Sequence, residues 1–213
     1  MDKAFSIEES LKFAWKKLKE NSQVLLGASV ILFIVNFVSG FISEKYEDGG
    51  LGILVFLLLI VSIVLSIGFT IIGLKVARGE AVSLKELIPP ATIGWKYFVV
   101  SVALGFLVLG GFILLIIPGV YLMLRFFMAT YATIDGAGFT ESFKRSTELT
   151  EGHKWNLLGF VLVLFIINIL GAIPLGLGLV VTTPITMVAW GHVYEKLKAA
   201  RHSAPAPAVE NQA

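Results

Sequence analysis

The stretch Leu51–Leu74 reads LGILVFLLLIVSIVLSIGFTIIGL and contains no charged residue. As a helix it is about 36 Å long, enough to cross a ~30 Å hydrocarbon layer with some tilt. A strand of that length, or a core helix apolar on every side, has no place in a protein this small. One such run puts the chain in a membrane, and its neighbours repeat the pattern. Overall 56% of the 213 residues are hydrophobic and only 15% are charged, far from the balance of a soluble domain.

Lipid offers no hydrogen-bond partners to the backbone, so each apolar run must be helical. The sequence predicts an all-α integral membrane protein with six transmembrane helices. The spans are 23–43, 51–74, 97–117, 119–134, 155–173 and 177–195. Residues 1–22 read as an amphipathic interfacial helix, 23–195 as the membrane domain and 196–213 as a disordered tail. Ile117-Pro118-Gly119 is read as a tight reversal between the third and fourth spans, because proline cannot donate to a continuing helix and glycine tolerates left-handed angles. One bent helix over 97–134 is the alternative, but it would be about 57 Å long. No small-residue cleavage pattern follows the first apolar run, so no removable leader is expected.

Orientation follows the Lys/Arg distribution. With six spans, 15 of the 17 basic residues fall on one side; Lys45 alone falls opposite, and Arg125 lies within a span. Both termini are therefore expected in the cytoplasm. The net charge of +2 gives no reason to expect nucleic acid as a partner. The chain has no cysteine, which excludes disulfides and thiolate chemistry within it.

An internal repeat is legible. Leu25-Leu26-Gly27 matches Leu157-Leu158-Gly159, and Leu32-Phe33-Ile34-Val35-Asn36 matches Leu164-Phe165-Ile166-Ile167-Asn168, both at an offset of 132 residues. Gly94-Trp95-Lys96-Tyr97 more loosely resembles Gly152-His153-Lys154-Trp155. The chain thus reads as three units, each a cytoplasmic helix followed by a membrane hairpin.

In the first unit Ser6-x-x-Glu9 forms a capping box, and Ile7, Leu11, Ala14, Trp15 and Leu18 form one apolar stripe flanked by Lys12, Lys16, Lys17 and Lys19. Two placements fit this pattern. The helix can lie in the inner headgroup layer, with Trp15 at the interface and Lys12, Lys16 and Lys17 near anionic phosphates. It can equally pack on the protein's own cytoplasmic face. In the third unit Phe139, Phe143 and Leu149 form the apolar side of the counterpart helix.

Apart from Glu195 at the inner end of the last span, Arg125 is the one charge within the spans, and it must face the bundle or snorkel. Measured along the helices, Arg125, Asn36 and Asn168 fall at a similar outer-half depth, so they are expected to form one polar layer. With no carboxylate at that depth in the spans, the layer suits a lipid phosphate, which guanidinium binds through two parallel hydrogen bonds. A structural anchor and a substrate site are the other readings of Arg125, and interhelical bonding is the other reading of the asparagines. Ser62/Ser66 and Ser101/Gly105 are small-residue pairs expected to allow close helix approach. Thr182-Thr183-Pro184 should kink the last helix. His192 and Glu195, three apart at the inner end of the last helix, read as interfacial caps; the spacing also allows a mutual hydrogen bond or half of a metal site. No catalytic constellation and no cofactor or metal motif is found.

The stretch Ile117-Pro118-Gly119-Val120-Tyr121-Leu122, then Arg125, Glu141-Ser142-Phe143-Lys144-Arg145-Ser146 and Leu149-Thr150-Glu151-Gly152, resembles a known pattern. It is similar to the membrane domain attached to some glycerophosphodiester phosphodiesterases and to the related YciC-like bacterial inner-membrane proteins. Those share an Ile-Pro-Gly-aromatic turn, an intramembrane Arg and an Ala-x-x-x-Ser-x-x-x-Thr-x-Gly helix. The likeness covers roughly residues 110–195 and, before that, architecture alone; Ser142 or Phe143 stands where small residues are common. It implies a multi-pass protein of a prokaryotic inner membrane. The diesterase chemistry of such proteins belongs to a separate soluble barrel, so activity does not carry over. The expectation is a non-catalytic membrane protein that organises or binds lipids, anionic headgroups among them, or partners that include other membrane proteins or a second copy of itself. The alternative is a small transporter or lipid-transfer element using the Arg/Asn layer.

Overall fold

The computed structural model describes residues 4–45, 51–174 and 176–203. All regular structure among them is helical: α1 (Ile7–Glu20), α2 (Ser22–Lys45), α3 (Gly52–Arg78), a 3₁₀ turn (Leu84–Leu87), α4 (Ala91–Leu114), α5 (Ile116–Phe126), α6 (Ala129–Ile134), α7 (Phe139–Thr150), α8 (Lys154–Ala172) and α9 (Leu179–Ser203). Five helical segments are long and apolar enough to cross a membrane: α2, α3, α4, the α5–α6 pair and α8. Their outer faces expose Phe37, Phe41, Phe56, Phe106 and Phe165, each more than half accessible. A surface this apolar is stable only against lipid. The chain is an α-helical membrane protein.

α9 is different. It carries Thr182, Thr183, Thr186, His192 and Tyr194, and yet Pro184, Ile185 and Val188–Tyr194 are buried. It runs through the centre of the bundle against α1, α2, α3 and α8. A helix shielded from lipid by its neighbours has no need of an apolar surface all round. Glycines allow its closest contact: a Cβ on Gly73 of α3 would lie 2.9 Å from Met187 Cβ, and one on Gly191 would lie 3.0 Å from Leu74 Cα.

The α4–α5 hairpin is confirmed in kind and corrected in detail. The reversal is at Leu115, which is extended (φ −168°, ψ 160°), and α5 already starts at Ile116. Pro118 therefore sits in the first helical turn, where a missing N–H costs nothing. Gly119 is helical and serves packing, since a Cβ on the facing Gly111 would lie 2.9 Å from its Cα. The single helix expected over 119–134 is two, interrupted at Phe127–Met128. Just before the interruption the Arg125 carbonyl accepts hydrogen bonds from Ser146 Oγ (2.8 Å) and Thr150 Oγ1 (3.2 Å) of α7. The tail is also shorter than expected: 196–203 continue α9, and 204–213 lie outside the described residues.

The short elements gather at the basic end of the bundle. α1 packs chiefly on α9, the 3₁₀ turn on α3, and α7 on α6 and α5. Ser6 caps α1, its Oγ accepting from the Glu9 amide at 3.4 Å. α1 buries Ser10, Ala14 and Leu18 against the protein, and Trp15 turns outward, 47% exposed. Of the two placements, packing on the protein's own end is the observed one, and Trp15 leaves the predicted stripe. α7 likewise buries Ser142, Ser146, Leu149 and Thr150, not Phe139, which is exposed. Its polar face is satisfied by the α5–α6 break and by a 2.9 Å bond between Thr133 Oγ1 and Ser142 Oγ.

Candidate functional site

Arg125, Asn36 and Asn168 do not form one layer. Asn36 donates to the Leu32 carbonyl of its own helix (2.8 Å) and accepts from Ser62 Oγ on α3 (3.0 Å). Asn168 donates to the Leu164 carbonyl and to Thr186 Oγ1, both at 2.8 Å, and accepts from Thr182 Oγ1 at 3.1 Å. Each asparagine therefore joins the two helices of its own hairpin. Thr182 and Thr186 are drawn into this bonding beside Pro184.

Arg125 is elsewhere because α5 is short and α7 folds beneath it. Counting residues from the outer turn places Arg125 in the outer half of the bilayer. The contacts place it with Thr147 of α7 (Nε to Oγ1, 3.5 Å) and close to Lys154, the first residue of α8. Both cations converge on Tyr121: Lys154 Nζ donates to its hydroxyl at 2.9 Å and lies 4.4 Å from the ring centre, and Arg125 Nη1 reaches the same oxygen at 3.4 Å. Neither cation has a carboxylate partner among the described residues. Two like charges held at one oxygen repel, and an anion between them removes the penalty.

An apolar cavity of about 270 Å³ lies between α5 and α8, walled by Met123, Leu124, Leu157, Val161, Phe165 and Trp190 among others; Leu124 adjoins Arg125 in α5, and Leu157 comes three residues after Lys154 in α8. Positive charge at one end and an apolar slot behind it match the two parts of a phospholipid. Sequence reasoning found Arg125 but missed Lys154 and Tyr121. The available signal was Tyr121 four residues before Arg125 on one helix face.

The remaining expected residues have other roles. Lys12 pairs with Glu8, and Lys16 and Lys17 pair with Glu20; Lys12 and Lys16 are exposed, and Lys17 is partly buried. His192 and Glu195 do not bond to each other. His192 stacks on Phe13 at 4.1 Å, and Glu195 accepts from Arg78 Nε at 2.8 Å. Arg78 also bonds Asp135, which accepts from Lys198 Nζ (2.7 Å) and Tyr194 Oη (2.9 Å). Burial alone would raise the Asp135 pKa, but the hydrogen bonds from Lys198, Arg78 and Tyr194 outweigh it and hold the carboxyl below the ordinary aspartate value.

Ser62/Ser66 and Ser101/Gly105 do not bring α3 and α4 together; these helices touch at few points. The four residues line a cavity of about 680 Å³ between them, closed on the inner side by α6 and α9.

No curated protein and no solved structure matches the chain. One family does match, over residues 42–212, described as a domain of unknown function (DUF7847). That span takes in α3 to α9 entire, including Tyr121, Arg125 and Lys154. With most of its length matched, this chain belongs to the DUF7847 family.

Proposed function

We propose that this protein is a non-catalytic, six-span lipid-binding protein that holds an anionic phospholipid at the seam between α5 and α8. The observation that carries the reading is the convergence of Arg125 and Lys154 on Tyr121, without a carboxylate, beside an apolar slot. α9 is the sixth crossing, made possible by its central position. The basic end, with α1 and α7, faces the cytoplasm, as the charge partition predicts. There the headgroup site meets the leaflet in which anionic lipid attracts Lys and Arg. Outward-facing Trp15, with Lys12 and Lys16 beside it, rests in the same headgroup layer. The likeness to YciC-like inner-membrane proteins is consistent with this placement. The transporter alternative loses its premise, since the layer it required is divided among separate hairpins.

The three-unit repeat belongs to the same proposal, and several coincidences support it. α1 and α7 begin 132 residues apart and bury corresponding positions, Ser10, Ala14 and Leu18 against Ser142, Ser146 and Thr150. Asn36 and Asn168 make the same bond to the carbonyl four residues back. Each unit's short element packs on the last membrane helix of another unit: α1 on α9, the 3₁₀ turn on α3, α7 on α6. That is a closed ring of three clasps.

The test is lipid retention. Purified from a mixed phosphatidylglycerol–phosphatidylcholine membrane and analysed by native mass spectrometry, the full chain should keep phosphatidylglycerol preferentially. The double change Arg125→Gln, Lys154→Gln should lower that retention by about tenfold or more, because two charge-assisted hydrogen bonds are removed. Retention unchanged in a folded double variant, or no preference in the natural chain, would overturn the reading.

A further inference from the structure

We infer that the cavity between α3 and α4 is a second lipid site, taking an uncharged lipid whose head presents hydroxyl and ester oxygens and which enters sideways from the bilayer. The inference is independent of the phospholipid reading and draws on the repeat only to single out Gly105. At about 680 Å³ the space lies within the range of ligand pockets and far exceeds a water site. Its walls carry no charged residue, and yet they are not plainly apolar: Ser66 and Thr70 of α3, Tyr97 and Ser101 of α4, and Tyr131 of α6 all border it. Hydroxyls without charge suit a head that can both give and accept hydrogen bonds. They offer a phosphate nothing to offset its desolvation.

Tyr131 points to an occupant. The residue is only 2% exposed, its hydroxyl makes no hydrogen bond among the described residues, and its ring is held between Phe127 and Tyr194. A phenol that borders a cavity between membrane helices can give its proton to an occupant that accepts it. Thr70 Oγ1 and Thr130 Oγ1, by contrast, donate to the Ser66 and Phe127 carbonyls at 2.9 and 3.0 Å. Access is lateral, since Ser66 and Gly105 are both at the surface where α3 and α4 part.

Comparison with the other two seams shows what opens this one. The α5–α8 cavity takes Val161, Leu164, Phe165 and Asn168 from α8, and the α9–α2 cavity takes Ser29, Leu32, Phe33 and Asn36 from α2. These sets match at the 132-residue offset found independently in the sequence. α4 contributes Ser101, Leu104, Gly105 and Val108 in the same spacing. Where the smaller cavities, of about 270 and 280 Å³, have a phenylalanine, the large one has Gly105, and a Cβ added there meets nothing within 4 Å. The missing ring leaves room for a ligand.

The experiment uses the full chain in lipid nanodiscs, with photoactivatable diacylglycerol as probe and photoactivatable phosphatidylglycerol in parallel. The diacylglycerol should label peptides containing residues 62–70 and 97–105 and be displaced by unlabelled diacylglycerol. Gly105→Phe should cut that labelling by about tenfold or more by filling the space. Tyr131→Phe removes one oxygen without changing shape and should cut it about fivefold, the factor one lost hydrogen bond gives. Arg125→Gln should leave it unchanged, which separates failure here from failure of the phospholipid site. Undiminished labelling in the Tyr131→Phe protein, equal displacement by phosphatidylglycerol, or labelling confined to α5 and α8 would each overturn the inference. Should Gly105→Phe unfold the chain, the Tyr131→Phe result decides alone.

Discussion

Gly68→Leu is expected to destabilise the fold by about 3 kcal/mol or more, at the upper end for overpacking a tight contact. A Cβ at Gly68 would collide with the Leu87 backbone carbonyl. What it meets is main chain, which cannot swing aside like the end of a side chain. The 3₁₀ turn would have to lift off α3. That would expose Leu87, now 3% accessible, and part the Lys75–Glu86 ion pair, now at 2.9 Å. The matched control is Gly40→Leu on the exposed side of α2, where a Cβ meets nothing within 4 Å. Denaturation in detergent micelles should show a large loss for the first change and almost none for the second. Equal effects would show that the 3₁₀ turn is not clamped to α3 as described.

Asp135→Asn is expected to cost about 2–3 kcal/mol and to remove a pH dependence that the natural protein has. Asp135 ends α6, and its carboxylate, 8% exposed, gathers Arg78 from the end of α3 with Tyr194 and Lys198 from α9. The last membrane helices of all three proposed units are thus tied at one carboxylate. Removing the charge leaves two cations facing an amide. The loss falls short of the ~3–5 kcal/mol of a fully buried pair because Arg78 and Lys198 keep 25% and 38% of their side-chain exposure. The folded-state pKa of Asp135 is depressed, so its stabilisation is fully present above the unfolded value of about 4 and is lost as pH falls through the lower folded value. Stability in micelles should therefore fall below pH 4 in the natural chain. The part of that fall due to Asp135 should be absent from Asp135→Asn. Identical acid profiles would refute the tie.

Sequence reasoning located most elements within a few residues, because a membrane-crossing helix is recognisable from its own composition. The runs that became α2, α3, α4 and α8 are apolar whatever packs beside them. The α4–α5 reversal was legible for the same reason, although Pro118 suggested the wrong residue for its turn. Asn36 and Asn168 were legible as a pair because identical short patterns surround them. Their partners were not, because a hydroxyl on the facing helix can lie at any separation along the chain.

Misplacements arose wherever depth was counted along one helix. Arg125 was set in the outer half of the bilayer by its distance from the outer turn, but α7, far along the chain, folds against α5 and brings Thr147 and Lys154 to it. Ser66, Ser101 and Gly105 looked like a close-packed seam and instead border open space. α1 and α7 were amphipathic by pattern, but packing turns Trp15 and Phe139 outward and buries Ser10, Ser142, Ser146 and Thr150 beside the apolar residues. The sequence by itself determined that the chain is a bundle of membrane helices with its basic residues gathered at one end, since burying apolar surface and keeping charge out of hydrocarbon are properties of local composition. Only the tertiary structure decided which side chains meet and where cavities remain, because contact between helices depends on how whole cylinders pack, and no single run of residues carries that information.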